Sequence, residues 1–101
     1  MVIKDIYPGD ILKIEKEKAL VFVVSKKYFN DSGGVIGCPI VSNVEENSIH
    51  VYVEEKDVEG IVLCEQLKFF DLNIRGYKVV ARSCLESMVN IVDIVQGFFD
   101  F

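Results

Sequence analysis

The chain has 101 residues, of which half are hydrophobic and 27% charged, with seven Gly and two Pro. That length fits one packed domain, 1–101, and that composition excludes a disordered, collagen-like or low-complexity chain. The net charge of −5 is uneven, +2 over residues 1–27, −7 over 28–67 and neutral over 68–101, which argues against a strongly basic nucleic-acid binder but leaves room for a local basic face.

Tyr7-Pro8-Gly9-Asp10 is turn chemistry, with Pro presetting one dihedral and Gly permitting a positive one. Ile11, Leu12 and Ile14 then predict a short strand over 9–15, closed by the charged connector Glu15 to Lys18. The unbroken β-branched and aromatic run 19–25 predicts a central strand buried on both faces. Residues 26–34 read as a loop around Asn30-Asp31-Ser32-Gly33-Gly34. A third strand follows over 35–41, irregular at Gly37 and Pro39. Ser42 to Ser48 is polar and turn-like, and 49–53 alternates as a half-exposed strand. After an acidic turn over 54–60, residues 61–70 read as one strand, and 77–81 as the last. Ser83 and Glu86 make a capping-box pattern for a helix over 84–97. Leu85, Met88, Val89, Val92, Val95 and Phe99 form its apolar stripe, and Ile91, Ile94 and Phe98 widen it beyond one ordinary face. The order is five or six strands and then one helix, a mainly β (α+β) fold expected to form a small, mostly antiparallel barrel with a terminal helix.

Cys38, Cys64 and Cys84 are odd in number and sit in apolar surroundings, so three reduced, core-type thiols are expected, as in a reducing cytoplasm. No signal-peptide pattern is visible, and the apolar segment 91–101, broken by Asp93, Gln96 and Asp100, is too short to span a bilayer. No cofactor or metal motif is present. The single histidine, His50, reads as a surface strand residue.

Ser42-Asn43 ends a strand, where polar side chains serve a ligand or simply a turn. Glu65, Gln66 and Lys68 are more unusual, because a carboxylate, an amide and an ammonium interrupt an apolar strand. Such groups cost desolvation unless they face water or line a pocket. Lys13, Lys16, Lys18, Lys26 and Lys27 could rim the first two strands.

Taken in order, Gly9-Asp10-Ile11, the Val21–Ser25 run, Pro39-Ile40-Val41-Ser42-Asn43 and Gly60 through Asp71 resemble the MazF/PemK toxin family. The match covers nearly the whole chain, helix included. The resemblance implies an SH3-like barrel with a C-terminal helix, acting as a homodimer. It also implies a toxin of a type II toxin–antitoxin system, partnered by an antitoxin protein. Most members are metal-independent, sequence-selective endoribonucleases that cut single-stranded mRNA with the RNA's own 2′-hydroxyl as nucleophile. Such cleavage needs a base, an acid, and donors for the developing phosphorane charge.

Carried over position by position, the family's Arg-Pro before the second strand falls on Ala19-Leu20, with Lys18 adjacent. The hydroxyl position falls at Val41 or Ser42. The acid-Gln pair is Glu65-Gln66, followed by Lys68. By position, Ser42 at the end of the third strand, Glu65, and Lys18 at the opening of the second are expected to meet at the barrel rim as catalytic residues, Lys18 standing in by charge for the absent arginine, with Asn43, Gln66 and Lys68 as substrate contacts. The bland alternative is a turn residue, a solvated strand acid and a loop charge. The missing arginine leaves an alternative open, a member that binds RNA or a protein partner without cutting.

Overall fold

A computed structural model gives the structure of residues 5–100. Residues 1–4 and 101 lie outside the described residues, and with them Lys4 of the charge pattern and the last residue of the 91–101 apolar segment. The elements run β1 (Asp10–Ile14), β2 (Leu20–Val23), α1 (Lys27–Asn30), β3 (Gly34–Val41), β4 (His50–Glu55), β5 (Val58–Leu63), β6 (Lys68–Asp71), β7 (Tyr77–Arg82) and α2 (Leu85–Gly97). The seven strands form one antiparallel sheet in the order β4-β5-β3-β2-β1-β7, with β6 also paired to β3.

The sheet curls around β3. Its C-terminal end pairs with β5, Ile40 opposite Val62 and Val41 opposite Ile61. Its N-terminal half pairs with β6, from Gly34 opposite Asp71 to Gly37 opposite Lys68. The single strand expected over 61–70 is therefore two strands, broken at Cys64–Leu67. The reason is polar. A straight continuation would carry Glu65 and Gln66 along the buried edge of β3, so the chain turns there and leaves both exposed. The Gln66 N–H donates to the Leu63 carbonyl at 3.0 Å to close that turn.

Alternation along β1, β2 and β3 feeds two cores on opposite faces. Ile11, Phe22, Cys38, Ile40 and Val62 pack with Ile91 and Val95 of α2. Leu12, Ile14, Val21, Val23 and Val35 pack with Ile6, Phe70 and Leu72. Within the run at 19–25, Val21, Phe22 and Val23 are buried on both faces, as the composition predicts, and the residues on either side are half-buried.

Four local expectations need correcting. The predicted loop at 26–34 contains the single turn α1, pinned by the buried Asn30, whose amide donates to the carbonyls of Ile6 and Ser25. The N-cap of α2 is Cys84 rather than Ser83, its sulfur accepting from the Ser87 N–H. Cys84 is therefore exposed, and only Cys38 and Cys64 are core thiols. Helix α2 turns Ile91 and Val95 inward and leaves Leu85, Val89, Phe98 and Phe99 outside, Leu85 and Phe99 being 71% and 62% exposed. The predicted stripe is therefore split, with Val95 joining Ile91 in the core and Leu85, Val89 and Phe99 left outside. No helix among the described residues is long and apolar enough to cross a membrane.

Candidate functional site

The β4–β5 ladder sets His50 opposite Leu63, at the end of β5 where the chain turns through Cys64 and Glu65. The Glu65 side chain folds back on this pair, and His50 Nε2 lies 3.1 Å from both of its carboxylate oxygens. The imidazole is 18% exposed and the carboxylate 39%. His50 is therefore not the bare surface histidine its alternating strand implies.

The other side of the ring is set by Asn47. Its Oδ1 accepts the backbone N–H groups of Ile49 and His50, both at 2.9 Å. With the oxygen so engaged, the amide nitrogen is what faces His50 Nδ1, at 3.2 Å. An amide NH2 only donates, so Nδ1 accepts, and the neutral ring carries its proton on Nε2, directed at Glu65. Burial pushes the Glu65 carboxyl up, but the His50 hydrogen bond, its own backbone N–H, the imidazole charge and the Gln66 side chain together hold it below the usual range. Cys38 and Cys64 lie beneath the turn, Cys38 Sγ 3.6 Å from the Cys64 carbonyl oxygen. Burial pushes these thiols up to about 12 and about 11, which removes them as nucleophiles at neutral pH.

A second cluster begins three residues on. Lys68 Nζ lies 3.5 Å from Glu17 Oε2 and 5.3 Å from the centre of the Phe70 ring. Arg75 reaches the same Glu17 oxygen at 2.8 Å and the Phe70 ring at 5.9 Å. Its Nε and Nη2 donate to the Glu15 carbonyl at 3.1 and 2.6 Å, tying the β1–β2 loop to the Asn73–Gly76 loop. The Arg75 hydrogen bond, offset in part by burial and reinforced by Lys68, lowers the Glu17 carboxyl. Two cations gathered at one buried ring make a positively charged setting for a phosphate. Arg75 is the functional candidate that residue patterns miss, since it lies in no motif and reaches the loop only through the fold.

Ser42 and Asn43 form the exposed turn after β3, Asn43 at φ 62°. The β2–β3 register, Leu20 opposite Ile40, brings Lys18 and Ser42 to the same end of that ladder. Glu65 follows Cys64, which sits abreast of Cys38, four residues of β3 from Ser42, or about 13 Å at strand rise. Among the described residues, no hydrogen bond or ion pair joins Ser42, Glu65 and Lys18, and the partner of Glu65 is His50. Gln66 shares the Glu65 turn, and Lys68 opens β6. No group of three or more His, Cys, Asp or Glu among the described residues is arranged to hold a metal ion.

Residues 4–99 match the family described as PemK-like, MazF-like toxin of type II toxin-antitoxin system. No curated protein matches the chain by sequence. Among solved structures the chain is similar to one in the MazE–MazF complex of Deinococcus radiodurans, with 17% identity, 98% of this chain and 97% of that one covered, and a TM-score of 0.82. It is also similar to an endoribonuclease in complex with its cognate antitoxin from a mycobacterial species, with 11% identity, 93% of each chain covered and a TM-score of 0.75. A third is the Mycobacterium tuberculosis toxin MazF-mt6, with 14% identity, 91% of this chain and 97% of that one covered, and a TM-score of 0.72. At these identities the shared property is the fold, a curled antiparallel sheet closed by a C-terminal helix.

Proposed function

The chain belongs to the PemK-like, MazF-like toxin family of type II toxin–antitoxin systems, and from that premise we propose that it is a metal-independent endoribonuclease. Its substrate is single-stranded mRNA, its setting the cytoplasm, its working form a homodimer, and its inhibitor a cognate antitoxin protein. The observation that carries the activity is Glu65, an ionised carboxylate held by a histidine on an exposed turn three residues before Lys68.

In this reading Glu65 takes the proton of the RNA 2′-hydroxyl. The 2′-oxygen bonds to phosphorus, the bond from phosphorus to the 5′-oxygen breaks, and the leaving oxygen takes a proton from water. The products are a 2′,3′-cyclic phosphate and a 5′-hydroxyl. The charge that develops on the phosphorane is met by Lys68 and Arg75, with Lys18 and the Ser42 hydroxyl further along the rim. Asn43 and Gln66 offer amide donors and acceptors to the bases. Arg75 brings a guanidinium to the β1–β2 loop, where the sequence itself has Ala19.

The test is cleavage of a single-stranded RNA by the purified protein, with and without EDTA, beside Glu65→Gln. The expected result is EDTA-resistant cutting that falls by about 10²- to 10⁴-fold in the variant at unchanged thermal stability. An intact RNA, a cleavage abolished by EDTA, or a fully active variant would each overturn the reading.

A further inference from the structure

Asn47, His50 and Glu65 form a directed chain whose proton positions follow from its geometry. The Asn47 oxygen is engaged by two backbone N–H groups, its nitrogen faces Nδ1, and Nε2–H faces both carboxylate oxygens. Every link is polar, the ring is largely covered, and the end of the chain is a carboxylate open to solvent.

We propose that His50 is a positioning residue for Glu65, with Asn47 fixing its tautomer, so that the working base is a histidine–carboxylate pair. This rests on the ribonuclease reading above. A carboxylate on a turn rotates freely about its side-chain bonds unless something holds it. Donation from Nε2 to both oxygens orients the group and leaves its outer lone pairs facing solvent, where a 2′-hydroxyl would arrive. Asn47 matters because of direction. Were its amide reversed, Nδ1 would carry the proton and Nε2 would turn a lone pair on the carboxylate. The Asx turn prevents that reversal.

The groups facing Glu65 are His50 from β4, Cys38 from β3, and Cys64 and Gln66 from the turn itself. Both thiols stay protonated at neutral pH and Gln66 carries no charge, so His50 is the one titratable neighbour that donates to the carboxylate there.

The test uses His50→Ala, His50→Gln and Asn47→Ala in the full chain, read in two ways. The first is the pH–rate profile of RNA cleavage. His50→Ala is expected to lower the rate about 10- to 100-fold and to move the acid limb to higher pH. His50→Gln, whose amide can still donate, restores most of both. Asn47→Ala shifts the same limb less. The second reading needs no RNA, namely the titration of the Glu65 carboxyl followed by carbon NMR, whose midpoint rises in His50→Ala. An unmoved acid limb and an unmoved Glu65 midpoint overturn the positioning role. If the wild-type protein cuts no RNA, the ribonuclease reading fails, and the NMR midpoint alone decides whether His50 sets the state of Glu65.

Discussion

Asn30 is 1% exposed, and its amide closes three contacts: it donates to the carbonyls of Ile6 and Ser25 and accepts from the Ser25 hydroxyl. Truncation would leave these partners desolvated with nothing to bond. Asn30→Ala should therefore cost about 2–4 kcal/mol, more than one lost hydrogen bond, read by urea denaturation. A cost under 1 kcal/mol would mean that water replaces the amide. The cysteines divide at the same scale. Cys38 and Cys64 are sealed in the core with raised thiols, whereas Cys84 caps α2 in the open. Native labelling with a maleimide should modify one thiol quickly and the other two only on unfolding. Fast modification of two would contradict the packing of β3 against β5.

At the scale of elements, β3 is the hinge of the sheet, and Gly37 is where the backbone of β2 comes closest upon it. Gly37 pairs with Val23 on one side and Lys68 on the other. A Cβ there would press into Val21 Cγ1 and lie 2.8 Å from the Phe22 carbonyl oxygen. The absent side chain is what lets β2 close onto the bend where β5 gives way to β6. Gly37→Ala should destabilise by about 1–3 kcal/mol through this overpacking, and the Glu65 turn should loosen with it. The check is thermal unfolding together with amide exchange at Gln66. An unchanged melting temperature would show that the sheet yields there without strain.

For the whole molecule, the outer stripe of α2 is the feature that a single copy leaves unfinished. Leu85, Val89 and Phe99 lie exposed along one side of the helix, an apolar strip of the kind that marks a contact surface. A second copy covering it accords with the homodimer proposed above. Light scattering should give twice the mass of one chain at micromolar concentration, and Val89→Asp should shift it to one chain with the fold retained by circular dichroism. A wild-type monomer would remove the homodimer from the proposal.

The strands, the helix and their order are legible in the residues because each follows from a local period. Alternation marks β4, an unbroken apolar run marks the doubly buried β2, and a 3.6-residue spacing marks α2. The resemblance of the ordered pieces to the toxin family likewise survives in a linear reading, as does the oddity of Glu65 in an apolar stretch. What the linear reading cannot hold is register. His50 meets Glu65 across 15 residues and Arg75 meets Glu17 across 58, each because paired strands bring two chain segments abreast. The break between β5 and β6, the outward turn of Leu85 and the exposure of Cys84 have the same origin. Each local pattern allowed two placements, and the desolvation of polar groups and the filling of two opposed cores chose between them.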